Sequence, residues 1–267
     1  MEYPPAWMES AAGLIGTHDL EIHGRQVRAG IDGPQLHRIF LPLLAEMLGV
    51  QRTLGRRITA GLAGIPGGGK STFAALLQIV GKNVLPPGCL AVFGLDGWHY
   101  PNAELDRRIT RDADGRPVPL RTRKGGPESF DVDALAAALD VLRAGDGDVL
   151  LPVYDRRIHD PRPAALRVDA GAGILLIEGN YLLLGDEPWR RIGDRLDLLV
   201  FLTCDLQTAR RRVVDRHVQG GCTPAQAEEK YRTNDAPNTR LVLASAARAD
   251  LVVQMDPPRL CRALDEA

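Results

Sequence analysis

Eight residues, Gly64-Ile65-Pro66-Gly67-Gly68-Gly69-Lys70-Ser71, constrain the fold of this 267-residue chain more than any other segment. They match the pattern GxxxxGK[ST] and stand between an apolar run, Ile58 to Ala63, and a helix-compatible stretch from Lys70 to about Val80. Strand, turn and helix in that order are the context the pattern requires. Gly64, Gly67, Gly68 and Gly69 let the backbone turn tightly and aim several N–H groups at phosphate oxygens. The positive end of the following helix adds to that attraction. Lys70 offers a mobile point charge to the β- and γ-phosphates, Ser71 offers a hydroxyl to Mg²⁺, and Thr72 completes the set of candidate phosphate contacts. The competing reading is a Gly-rich turn with an exposed lysine. Composition alone produces such a pattern in roughly one chain in a hundred.

The rest of the chain repeats the alternation. Leu90–Leu95, Val149–Tyr154, Ile174–Ile177, Leu198–Thr203 and Ala249–Val253 are short apolar runs separated by helical segments. Asp131 is placed to cap a helix that Gly145 stops, and Asp205 to cap another. Such alternation predicts an α/β fold, a doubly wound and mainly parallel sheet with helices on both faces. Residues 106–127 are polar, contain Asp114-Gly115, and predict a long loop or hairpin. Residues 1–30 carry little pattern and read as a loosely structured extension. Leu36, Ile39, Phe40, Leu43, Leu44, Met47 and Leu48 follow the helical stripe, from Pro34 to a stop at Gly49 with a kink at Pro42. The division expected is an N-terminal extension, 1–50, with one amphipathic helix packed on the core, and a main domain, 51–267.

Two acids stand at strand ends, Asp96 in GLDGWHYPN and Glu178 in ILLIEGN. Ligands of open α/β sheets bind beyond those ends, so either carboxylate is placed for metal or substrate, or else for capping or an ion pair. A hydroxyl acceptor would need a group to orient or take its proton, a role these acids could share with metal binding.

A formal net charge of −1 removes the footprint of a general nucleic-acid binder. MEYPPAWMES lacks a signal pattern and no apolar run is long enough to cross a bilayer. Cys89, Cys204, Cys222 and Cys261 are scattered without metal spacing, which fits a reducing, cytoplasmic setting. Of the basic residues 29 are Arg and only 4 are Lys, so a small arginine cluster says little and a well-placed lysine says more. Lys124, which opens KGGPESFD, is such a lysine. The arginines between Arg107 and Arg123 read as a solvated loop or as a clamp for an acceptor phosphate. Trp98 and Tyr100 either wall an acceptor pocket or fill core, and His159 is structural or a substrate contact. On a helix from Asp205, Leu206, Ala209 and Val213 share one face and Arg210 borders it. Arg211 and Arg212 point away, as a solvated face or as lid arginines.

Residues 57 to about 254 resemble the uridine kinase, phosphoribulokinase and bacterial pantothenate kinase group of P-loop kinases. The resemblance rests on GIPGGGKST, LDGWHYPNAELD, KGGPESFDVDAL, PVYDRRIHD, IEGNYLLL and ADLVV in that order. It is similar overall to a bacterial branch described as nucleoside/nucleotide kinase-like or fructose-transport-system kinase. Pro66-Gly67 and Trp98-His99 depart from the pantothenate kinase pattern. The resemblance implies a helical lid, ATP and Mg²⁺ as cofactors, Lys70 and Ser71 on ATP–Mg, and Glu178 close to the metal. It also implies Asp96 nearest the acceptor hydroxyl, Tyr154 and His159 where nucleosides are contacted, and phosphate-binding arginines among Arg210, Arg211 and Arg212. The activity expected is transfer of the γ-phosphoryl group to a hydroxyl of a nucleoside, pantothenate, a sugar or a sugar acid. The alternative is a regulatory P-loop ATPase; no Asn/Thr-Lys-x-Asp segment supports guanine specificity. The partners expected are a small-molecule substrate, no nucleic acid and no membrane; a homodimer is left open.

Overall fold

The computed structural model describes residues 2–22, 24–111 and 115–263. In chain order the strands are β1 (Gly16–Ile22), β2 (Arg25–Ile31), β3 (Ile58–Gly64), β4 (Leu90–Gly94), β5 (Ile109–Arg111), β6 (Pro117–Pro119), β7 (Val149–Asp155), β8 (Asp160–Val168), β9 (Ile174–Glu178), β10 (Leu198–Leu202), β11 (Leu251–Met255) and β12 (Pro258–Arg262). Every residue of β3 is buried, as befits a strand covered on both faces. It lies inside a six-stranded sheet of order β12-β11-β10-β3-β9-β4. β4, β9, β3, β10 and β11 are mutually parallel, and β12 returns antiparallel along one edge. Strand alternation divides the core into two. Ile58, Ala60 and Leu62 face a cluster with helix Leu41–Leu54 and helix Lys70–Val84. Ala63, Leu175, Ile177 and Phe201 face a second cluster with helix Val132–Ala144.

The first thirty residues are not loosely structured. Helix Pro5–Ala11 buries Trp7 and Ala11, and β1 and β2 form an antiparallel hairpin that buries Leu20 and Ile31 in the first cluster. The apolar row of this hairpin alternates with Asp19, Glu21 and Arg28 and itself includes His18, so the short period-2 signal is masked. Nor does the helix stop at Gly49. It continues through the expected boundary at residue 50 to Leu54, where Gly55 at φ 63° donates its N–H to Gln51 O and closes it. At Pro42, where a kink is expected, the helix continues through a local irregularity. A π-turn over Leu36–Phe40, closed by Leu41 N–H on Leu36 O, makes room for the ring.

β7 belongs to the parallel pattern in sequence but not in space. It pairs with β8, a strand the sequence did not announce, in a separate hairpin irregular between Leu151 and Val153. The segment 106–127 contains helix Asn102–Arg107 at its start and the hairpin β5–β6; Asp112 and Asp114 lie outside the described residues. Asp131 and Asp205 cap their helices, accepting from Ala134 N and Thr208 N. Among the described residues no helix is long and apolar enough to cross a membrane.

Asp197 ties the base of the sheet together. Its carboxylate accepts from Arg56 Nη1 and Nη2 at 3.0 and 2.6 Å, from Arg143 Nη2 at 2.8 Å and from Thr59 N at 3.0 Å. Burial alone would raise its pKa, but these donors hold it below the ordinary carboxylate value. Asp197→Ala strands all three donors, so denaturant unfolding should show a loss of about 3 kcal/mol. An unchanged midpoint would show that solvent replaces them.

Candidate active site

The C-terminal ends of β3, β4 and β9 open into a cleft of about 850 Å³, where an open α/β sheet binds its ligands. The loop after β3 turns through Gly67 at φ 76° and Gly69 at φ 93°. Only glycine fits at Gly67: a Cβ there would run into Ala209 O and lie 2.9 Å from Val213 Cγ2. The helix Leu206–Gln219 therefore sits directly on the loop. Helix Lys70–Val84 starts at Gly69 with no side-chain cap, leaving its first N–H groups to a ligand.

Lys70 is buried, and its Nζ donates to Ile65 O at 3.1 Å and to Asn180 Oδ1 at 2.5 Å. Burial pushes its pKa down to about 8; Glu178 and Asp96 oppose that shift, while Arg216 and Arg156 reinforce it. Ser71 Oγ donates to Glu178 Oε1 at 2.7 Å. A hydroxyl and a carboxylate oxygen in contact beside the phosphate loop are hard donors of the kind Mg²⁺ takes alongside substrate phosphates. Thr72, Gly67 and Gly69 also line the cleft, whereas Gly64 and Gly68 lie beneath it.

Asp96 stands in the 3₁₀ turn Leu95–Trp98 after β4, with Arg156 Nη2 3.8 Å from Oδ2 and His99 Nδ1 3.9 Å from Oδ1. His99 is buried against the Phe130 ring, 3.9 Å between centroids, and the Tyr154 ring, 5.2 Å. Burial lowers its pKa against the opposing charge of Asp96, and Nδ1 lies 2.9 Å from Asp96 O. Tyr154 is pushed up to about 12 by burial and then by Asp96. Lys124 Nζ donates to Asn102 Oδ1 at 2.5 Å and to His159 O at 2.6 Å, and burial lowers its pKa to about 8. The Lys124–Gly125 backbone is held by Asn234 Nδ2 on Lys124 O and by the Tyr181 hydroxyl on Gly125 O. His159 lines the cleft, and its carbonyl is presented by a backbone at φ 53°, a costly conformation for a non-glycine residue.

The lid helix divides the arginine run. Arg212 Nη1 donates to Gly67 O at 3.3 Å. Arg216, one turn further, faces the cleft and has no hydrogen bond or ion pair among the described residues. Arg211 was a candidate for phosphate, but about 100° per residue separates it from Arg212, and it is exposed outside the cleft. Arg210 is engaged elsewhere, with Glu228 at 2.7 Å and over the Tyr231 ring. Ala209 and Val213 are buried as the shared face requires, but Leu206 is 52% exposed. Trp98 and Tyr100 do not wall the cleft. The 3₁₀ turn points Trp98 into the core against Phe93, and Tyr100 lies under the Arg108 guanidinium. Of the arginines in the 107–123 segment, Arg107 and Arg108 pair with Glu104, Arg121 with Asp106 and Arg123 with Glu128; Arg121 also lines the cleft. Sequence reasoning missed His99, Asn102, Arg156, Asn180, Arg216 and Asn234. Arg216 was within reach, being four residues beyond Arg212 on one helix face.

A glycine-rich loop between a central parallel strand and a helix, an acid beside the loop serine, and a lid helix seated on the loop define a P-loop nucleotide-binding enzyme. The chain belongs to the Phosphoribulokinase / Uridine kinase family, whose profile it matches over residues 59–261. It is a small-molecule kinase that binds ATP. It is 33% identical over 239 residues to the protein YggC of Escherichia coli (strain K12), covering 89% of this chain and 94% of that one. It is 32% identical over 202 residues to a candidate uridine kinase, C227.14, of Schizosaccharomyces pombe, covering 74% and 83%. Among solved structures it is similar to a candidate fructose transport system kinase from Silicibacter sp. TM1040. The TM-score is 0.64 at 29% identity, covering 79% of this chain and 98% of that one.

Proposed function

We propose that the protein transfers the γ-phosphoryl group of ATP to a hydroxyl of a small metabolite held beside Asp96. The observation that carries this reading is the convergence of Asp96, Lys70 and Arg216 on one cleft beyond the strand ends. Lys70 and the loop N–H groups hold the triphosphate. Ser71 and Glu178 would hold Mg²⁺, which when bound offsets phosphate charge. Asp96 orients the acceptor hydroxyl and takes its proton as the new O–P bond forms and the bond from the γ-phosphorus to the bridging oxygen breaks, with ADP as the leaving group. Lys70 and Arg212, both seated against the phosphate loop, offset the charge of the group in transfer. Tyr154, Lys124 and the His159 carbonyl form the acceptor wall. A cytoplasmic setting, with ATP at hand and Cys89, Cys204, Cys222 and Cys261 free, goes with this activity.

The test is ADP release with ATP and Mg²⁺ across hydroxyl compounds: pantothenate, uridine, cytidine, fructose, ribose, glycerol and glycerate. Stimulation by one compound identifies the acceptor class. ATP hydrolysis that none of them changes favours the regulatory ATPase instead.

A further inference from the structure

The hairpin β1–β2 lies N-terminal to the family match at 59–261 and reaches the cleft. Its inward row packs Leu20, Ile22, Val27, Ala29 and Ile31 on the first core cluster. Arg25 pairs with Ile22 across the hairpin and occupies the same row, where it runs past the core edge. There Arg25 lines the cleft, and its Nη1 donates to Gln219 Oε1 at 3.3 Å, at the end of the lid helix. The hairpin also meets the β7–β8 turn, since a Cβ at Gly24 would lie 3.6 Å from Arg157 Nε. Arg25, Arg156 and Arg216 thus enter one space from three elements.

Arg156 has Asp96 at 3.8 Å, but among the described residues neither Arg25 nor Arg216 has a carboxylate within ion-pair distance. Asp155 is taken by Arg157 at 2.7 Å, and Asp235 Oδ2 accepts from His217 Nε2 at 2.8 Å. Among the described residues the cleft is lined by eight Lys and Arg side chains and four Asp and Glu side chains. Lys70 and Arg212 lie against the phosphate loop and serve the nucleotide. Arg216 and Gln219 are the next turns along the lid, so Arg25 sits about 10 Å beyond Arg212 along that axis. Burial and then the charge of Arg156 disfavour the cation at Arg216; Asp235 and Asp96 partly oppose them, and Arg25 adds more weakly to the repulsion. Crowded guanidinium groups of this kind are matched by an oxyanion.

We propose that the acceptor carries an anionic group, a phosphate or a carboxylate, bound between Arg25 of the N-terminal hairpin and Arg156 beside Asp96, with Arg216 covering it from the lid. The proposal rests on the kinase reading above and narrows it to hydroxyl compounds that bear an anion. A neutral sugar or nucleoside would leave Arg25 and Arg216 without an anionic partner.

Two experiments on the full chain test it. In the first, protein loaded with Mg²⁺ and a non-hydrolysable ATP analogue is titrated with inorganic phosphate. Saturable binding is expected, weakened about tenfold by Arg25→Gln and partly restored by Arg25→Lys. No binding, or binding that Arg25→Gln leaves unchanged, overturns the proposal. In the second, ADP release is compared for matched pairs, ribose against ribose 5-phosphate and glycerol against glycerate. The anionic member of a pair should have a kcat/KM at least about tenfold higher, and Arg25→Gln should raise its KM without raising that for ATP. The better anionic member separates phosphate from carboxylate. A neutral member that performs as well as its anionic partner overturns the proposal while leaving the kinase reading intact. ATP turnover independent of every acceptor strikes at the kinase reading, and the phosphate titration then still decides the anion site.

Discussion

Asp96→Asn should abolish phosphoryl transfer and spare nucleotide binding. Asparagine has the size and shape of the native side chain and leaves the Leu95–Trp98 turn and the His99 contact to Asp96 O undisturbed. It cannot take a proton. The expected loss in kcat is about 10³-fold, the scale of a positioned general base. ATP affinity, measured by titration of the same variant, should change little because the loop contacts lie on a different strand end. Turnover near that of the native protein would remove Asp96 from the mechanism and leave the acceptor hydroxyl to lose its proton to solvent.

Lys70→Ala should reduce kcat by about 10²- to 10³-fold, the effect of deleting one charged donor from a pre-organised site. Lys70 also sets a pH dependence whose sign can be worked out. Burial lowers its pKa to about 8, so the free enzyme holds a charged Lys70 below that pH and loses the charge above it. Since kcat/KM reports the free enzyme, its value for ATP should fall as pH rises through about 8. A bound triphosphate favours the ammonium form, so kcat itself should hold to higher pH. Lys124 is lowered to a similar value, again chiefly by burial. Lys124→Gln separates the two: an alkaline fall that persists in this variant belongs to Lys70, and one that disappears belongs to the acceptor wall.

What the sequence disclosed follows the physics of each signal. The phosphate loop was legible because its glycines are demanded by local backbone geometry, Gly67 at φ 76° and Gly69 at φ 93°. The buried parallel strands were legible as apolar runs, and the caps at Asp131 and Asp205 as single polar residues ahead of helical stripes. The site was legible where residues stand next to a strand end, as with Asp96 and Glu178. It was not legible where position depends on rotation about an axis or on a distant partner. Trp98 and Tyr100 follow Asp96 in sequence, yet one turn of 3₁₀ helix sends them away from the cleft. Arg211 and Arg212 are neighbours in sequence and point apart. Arg156 carries no local signal, because its value comes from β7–β8 folding back on Asp96. The N-terminal hairpin was missed for a related reason: half of its residues face solvent and the other half complete a core laid down by later elements.

The chain is closed by contacts between its two ends. Gln35 Nε2 donates to Met255 O across 220 residues, Arg262 Nη2 to Glu46 Oε1 across 216, and Arg25 to Gln219 across 194. Joining such distant segments is slow, because the loop must be closed before any contact rewards it. During synthesis the hairpin and the helix that follows it leave the ribosome long before β11 and β12 exist to receive them. The wall of the cleft where Arg25 meets Gln219 is therefore among the last parts of the molecule to assemble. A ligand lodged there would brace the N-terminal hairpin and the lid helix at once, so its binding should protect more of the chain against unfolding than one loop.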